Sequence, residues 1–310
     1  MSVAPRTDAG TALRRTTHTL RAPDGAQLFL CRHEPRAARA RVMLVHGYAE
    51  HSGRYERIIE LLVGRGLSVA AGDLRGHGLS QGRRGHITRF EHYLDDLQTM
   101  LAHLREQAGD ALPLFLLGHS LGGLIAACHV QARPQSVDGV VLVAPFVGLK
   151  FTVPPWKQSL ARVVSGLWPT FQLPSGVPPG LLSRDPDYFN RLQADPLAFK
   201  HATARWFTET VAAQRRTLGA PCAVGVPLLL MLAGDDAIVC NDAARTLHAA
   251  MAAQAGTAQV YEYPACYHDL LHEPEHARIV DDLIAWIDAQ LAARATPQAD
   301  SRTLPAAGVR

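Results

Sequence analysis

The chain has few cysteines, no long hydrophobic run and almost no net charge, and each shortage removes a class of protein. Its five cysteines (Cys31, Cys128, Cys222, Cys240 and Cys266) are scattered, odd in number and without a CxxC pair. This argues against a disulfide framework or a zinc ribbon and favours buried free thiols. Basic and acidic residues number 31 and 28, giving a formal charge of +3 spread along the chain. So small and dispersed a charge makes no nucleic-acid surface. Apolar stretches such as 226–233 fall far short of the roughly 20 residues a membrane helix needs. The first 20 residues hold no apolar core of a secretory signal. The expectation is a soluble, cytoplasmic protein, a monomer or homodimer.

What is present is a large apolar fraction, 47% of 310 residues, enough for a substantial core. Two apolar runs flank Asp24-Gly25, a hairpin turn signal. After them come RVMLVHG, LSVAAGD, PLFLLGH, DGVVLVAP, VPLLLMLAG and AQVYEYP. These lack clean polar alternation, as parallel strands buried on both faces do. Between them lie helical stretches at 53–65, 121–133, 241–253 and 275–292. In another, Phe90, Leu94, Leu97, Leu101 and Leu104 recur at steps of four and three. The pattern predicts an α/β fold: a mostly parallel sheet of about eight strands with helices on both faces.

Residues 147–220 break the alternation. They carry eight prolines and a dense aromatic and aliphatic run from Phe151 to Phe171, with no good strand. The expected organisation is a core of 15–146 and 221–292, a helical cap at 147–220, and disordered ends at 1–14 and 293–310.

Residues 118–122, Gly-His-Ser-Leu-Gly, fit G-x-S-x-G between a strand and a helix. A serine hydroxyl is a poor nucleophile until it is lifted clear of the sheet and its proton is removed. The sharp turn lifts Ser120, and the helix start brings amide donors toward a developing oxyanion. In this chain order the acid follows a late strand and the base follows the last one. Asp235 or Asp236 can be the acid. His268 comes first after the strand and is the candidate base, with His272 placed at the start of the final helix. The oxyanion donors are the N–H groups of Leu121 and Tyr48, with His46 a structural support for that loop. His268, His272 and His276 could in principle hold a metal, but Pro274 interrupts their helix, and no metal is expected.

HGYAEHSGRY (46–55), GDLRGHGLSQGRRGH (72–86), GHSLGG (118–123) and YHDLLHE (267–273) together resemble the monoacylglycerol lipase and lysophospholipase branch of the α/β-hydrolases. LSRDPDYF (182–189) and ADPLAF (194–199) are similar to that family's cap. The resemblance spans about residues 15–292. It implies an α/β-hydrolase fold, Ser120 as nucleophile and His268 as base. Aligning on Ile238-Val239 makes Asp236 the acid. Glu50 and Arg54 fall where the family has a polar head-group pocket, although a salt-bridged loop would explain them equally. Asp73, Arg75 and His77 look structural. The implied substrate is a small lipid ester, cleaved through an acyl-serine without a cofactor, with at most transient contact to a membrane or lipid aggregate. The rivals are a short-chain carboxylesterase or peptidase of this fold, and a non-catalytic binder built on it.

Overall fold

Short apolar strands alternating with amphipathic helices bury most when helices cover both faces of one sheet. The computed structural model describes residues 14–108, 112–174, 178–219, 224–252 and 258–295. Its main sheet has eight strands: β1 (Arg14–Arg21), β2 (Gln27–Glu34), β3 (Ala40–Val45), β4 (Leu67–Gly72), β5 (Leu114–His119), β6 (Gly139–Val143), β9 (Leu228–Ala233) and β10 (Ala258–Tyr263). Their spatial order is β1-β2-β4-β3-β5-β6-β9-β10. The β1–β2 and β2–β4 pairs are antiparallel and the remaining pairs parallel.

Alternate side chains of the central strands feed two separate cores. Met43, Leu116, Leu142 and Leu230 join one, with α2 (Glu91–Ala108), α3 (Leu121–Ala132) and α7 (Asn241–Ala252). Val42, Leu117, Val141 and Leu229 join the other, with α1 (Glu56–Gly64) and α8 (His276–Ala295). In α1, Ile58, Ile59, Leu62 and Val63 form the buried stripe, a spacing that keeps one face inward.

The insertion between β6 and β9 contains α4 (Pro155–Leu167), α5 (Tyr188–Ala194) and α6 (Ala204–Gly219). It also contains a two-stranded ribbon, β7 (Gln172–Pro174) with β8 (His201–Thr203), where no strand was expected. Strands of three residues carry no periodicity a sequence reading can detect. Trp206 and Ala213 of α6 are built into the main core, so the second half of the insertion is anchored rather than merely laid on top. By contrast α4 buries only Ser165.

Several expected boundaries shift. Arg14 already belongs to β1, and α8 continues to Ala295, three residues into the stretch expected to be disordered. Residues 1–13 and 296–310 lie outside the described residues. β10 is an edge strand with a partly exposed face rather than a buried one. Cys31, Cys128, Cys240 and Cys266 are free thiols, and Cys222 falls outside the described residues.

Candidate active site

β5 ends at His119, and α3 begins at Leu121, so Ser120 alone makes the turn. Its backbone stands at φ 51° and ψ −113°, a conformation that L-residues avoid. Three hydrogen bonds hold it there. Ser120 N–H donates to Val143 O, and Ser120 O accepts from Leu124 and Phe146. The flanking glycines are required by close approach. A Cβ on Gly118 would lie 2.3 Å from Gly122 O, and one on Gly122 would lie 2.1 Å from Val45 O.

The three expected catalytic residues meet. His268 Nε2 is 2.8 Å from Ser120 Oγ, and His268 Nδ1 is 2.8 Å from Asp236 Oδ2. An ionised carboxylate only accepts, so the proton sits on Nδ1 and Nε2 is left to accept from the serine. Asp236 Oδ1 takes the N–H groups of Ile238 and Val239. Burial alone would raise the Asp236 carboxyl; His268 and those two amides outweigh it and hold the group below the usual carboxylate range. Asp235 is exposed, and its N–H donates to Cys266 O, so the geometry separates the two aspartates that the residues alone left open.

The loop 46–50 runs against the serine: a Cβ on Gly47 would touch Ser120 Cβ at 3.4 Å. Among the described residues, the N–H groups of Tyr48 and Leu121 have no protein acceptor. His46 pins this loop, its Nδ1 donating to Gly47 O and its Nε2 accepting from Leu74 N–H. Asp73 accepts from Ser52 and Leu79 N–H, and Arg75 pairs with Asp96 and Asp24. Both act as loop supports.

Glu50 and Arg54 are both engaged by protein groups. Glu50 Oε1 accepts from Gly47 N–H and from Tyr55 OH, each at 2.6 Å. Arg54 lies 3.5 Å from Glu50, 3.7 Å from Asp195 and over the Tyr188 ring. His272 does not begin α8, which starts at His276. It ends a short 3-10 turn and bridges Asp269 Oδ1 and Arg54 O, each at 2.8 Å.

Sequence reasoning missed His119, Tyr55, Asp269 and Tyr188, which join Glu50, Arg54 and His272 in one buried polar network beside Ser120. The only signal was placement: a histidine inside G-x-S-x-G and an aspartate directly after His268. The three histidines weighed as metal ligands turn to different partners, with His276 Nδ1 on Glu273 O. Among the described residues Cys266, Glu273 and Glu275 do converge, but the Arg184 guanidinium already sits on all three.

A strained serine elbow on a parallel sheet, with its acid and base arriving later in the chain, defines an α/β-hydrolase. The chain belongs to the family described as "Serine aminopeptidase, S33", whose profile matches residues 36–275. It falls in the monoacylglycerol lipase branch of the α/β-hydrolases. It is 32% identical to the monoglyceride lipase of Homo sapiens over 281 residues, 88% of this chain and 90% of that protein. It is 30% identical to phospholipase YtpA of Bacillus subtilis (strain 168), across 80% of this chain and 94% of the relative. The crystal structure of Paleococcus ferrophilus monoacylglycerol lipase superposes with a TM-score of 0.75 at 30% identity, covering 85% of this chain and 99% of that one.

Proposed function

We propose that the protein is a serine hydrolase of lipid esters, taking monoacylglycerol or lysophospholipid to a fatty acid and the corresponding alcohol. The observation that carries this reading is the unbroken Ser120–His268–Asp236 chain, with both links at 2.8 Å. His268 Nε2 takes the Ser120 proton as Oγ attacks the ester carbonyl. The tetrahedral oxyanion forms against the N–H groups of Tyr48 and Leu121. His268 then protonates the departing alcohol, leaving an acyl-serine. Water, deprotonated by the same histidine, hydrolyses it in a second pass through the oxyanion site.

The lipid preference is supported by the activities named for the relatives and by the surface of α4. Trp156, Leu160, Val163 and Leu167 are all exposed at helical spacing, Leu167 to 85%. Lys157 and Arg162 accompany them, and α4 contains no acidic residue. Such a face suits transient contact with a lipid aggregate. No helix among the described residues is long and apolar enough to cross a membrane.

The family's description also raises a peptidase. A site for a free amino terminus needs an available carboxylate, and Glu50 Oε1 is already spent on Gly47 and Tyr55. In our reading Glu50 supports the loop, and Arg54 forms the polar end of the site. The test is fatty-acid release from monoacylglycerols of increasing chain length, beside a lysophospholipid, a short synthetic ester and an aminoacyl amide. A long-chain optimum that is lost in Ser120→Ala is expected. Preference for the aminoacyl amide would replace the lipase reading, and activity surviving in Ser120→Ala would end the mechanism.

A further inference from the structure

We propose that His119 is a positioning residue: a buried imidazolium that ties the oxyanion loop to the loop carrying His268. This rests on the serine-hydrolase reading above.

Hydrogen-bond bookkeeping around the ring leads there. Tyr55 has one hydroxyl proton and donates it to Glu50 Oε1 at 2.6 Å. Its oxygen can then only accept from His119 Nδ1, 2.8 Å away. Glu50 Oε1 itself lies 3.4 Å from the same nitrogen. On the other edge, Nε2 faces His268 O at 3.5 Å and Asp269 Oδ1 at 3.7 Å. Every atom presented to either ring nitrogen is therefore an acceptor. A neutral ring would set a bare lone pair against one of them, at a cost no buried site sustains without compensation.

The electrostatics agree. Burial alone would push the imidazole down, but Asp269 and Glu50 overcome it and raise His119 to about 9. The groups facing the ring come from two segments: Glu50 and Tyr55 from the loop and turn before α1, and His268 and Asp269 from the loop after β10. Behind Asp269 stand His272 and, from the insertion, Tyr188, whose hydroxyl donates to Asp269 Oδ2 at 2.8 Å. Arg54 adds a positive charge beside Glu50.

The two ends of this tie are the parts the reaction needs aligned. Glu50 Oε1 also accepts Gly47 N–H, and Gly47 immediately precedes Tyr48, whose N–H points to the oxyanion role. The carbonyl beneath Nε2 is that of His268 itself. One ring, directly before the nucleophile in sequence, thus reaches both the electrophilic and the basic side of the site. Loss of its proton would remove a donor from one side and loosen the register between them. Misplacement on the scale of 1 Å costs about 100-fold in rate.

Nitrogen-15 spectra of the full chain with labelled histidine provide the direct test. At pH 7.5 the His119 ring is expected with both nitrogens protonated, losing one near pH 9. The signal is assigned by its loss in His119→Gln or, should that variant not fold, by through-space contact with the Tyr55 ring. In the folded variant kcat should fall about 10- to 100-fold with KM within about threefold, and the alkaline limb of the wild-type profile near pH 9 should vanish. A merely structural role would lower the folded fraction and leave the limb in place. A singly protonated His119 ring at pH 7.5 would overturn the proposal, as would a folded variant with wild-type kcat. Failure of a fluorophosphonate to label wild-type Ser120 would sink the hydrolase reading instead, leaving the spectra as an independent result on His119.

Discussion

Two buried histidine-bearing regions adjoin the loop 46–50, and their rings differ in charge: neutral in one, positive in the other. In the first, His46 and His77 lie 5.4 Å apart, and His77 stands edge-on to Tyr48. Each ring has at most one acceptor: His46 donates to Gly47 O and accepts from Leu74 N–H, and His77 donates to Arg75 O while its Nε2 has no hydrogen-bond partner. Burial pushes both down, His77 to about 3, and both are neutral. In the second region His119 is as buried and His272 nearly so, yet each ring meets acceptors on both nitrogens and two carboxylates nearby, and both are pushed up. Burial therefore does not decide the charge of a histidine. The number of acceptors the fold aims at its ring does.

The sharpest break removes the chemistry while sparing both regions. Ser120→Ala should cut kcat by about 10⁴- to 10⁶-fold with little change in melting temperature. Asp236→Asn should cost about 10⁴-fold, because the amide no longer holds the correct His268 tautomer, whereas the exposed Asp235→Asn should behave nearly as wild type. Ester hydrolysis by the three variants checks this, and equal losses at 235 and 236 would contradict the geometry.

Asp269→Asn attacks the charged region alone. It strands two imidazolium rings without their shared carboxylate, and urea unfolding at pH 7 should show a loss of about 3–5 kcal/mol. A loss under about 1 kcal/mol would mean that the rings are not charged.

Stability against pH separates the regions next. The folded state raises His119 to about 9, so its contribution is complete below about pH 6.5 and lost as pH climbs toward 9. Asp269 is lowered to about 2, so its contribution is present above about pH 4 and lost as pH falls toward 2. His77, lowered to about 3, favours the fold fully above about pH 6.5 and less as pH falls toward 3. Unfolding free energy should peak near pH 6–7, with His119→Gln flattening the alkaline arm and His77→Phe the acid one. An alkaline arm unchanged in His119→Gln would reverse the assignment.

The smallest effect on stability belongs to the insertion. Leu167→Asp on the bare face of α4 should change unfolding free energy by no more than about 0.5 kcal/mol. The same change should weaken co-sedimentation with phospholipid vesicles; unaltered sedimentation would detach α4 from lipid contact.

The parts legible in the sequence were those governed by local rules. Leu114–His119 followed by Ser120 and α3 could be read because an apolar run, two glycines and a helix pattern are contiguous in the chain. The parts that were not legible depend on approach between distant segments. Nothing near His272 announces that Arg54, 218 residues earlier, supplies its carbonyl, and local pattern alone points to the helix start. The β7–β8 ribbon leaves no trace in the sequence because three residues have no period, and the edge position of β10 leaves none because hydrophobicity does not report position in the sheet.

By itself the sequence determined the alternating α/β order, the serine elbow and the chain order of acid and base, since these follow from spacing, glycine sterics and strand burial. Only the tertiary structure set Asp236 rather than Asp235 against His268, turned Glu50 inward onto Gly47 and Tyr55, and set His119 and His272 apart from His46 and His77. Those outcomes depend on which acceptors lie within about 3 Å of a side chain. The fold supplies that distance within one loop for Glu50 with Gly47 and Tyr55, and between segments 32 and 64 residues apart for Asp236 with His268 and Tyr55 with His119.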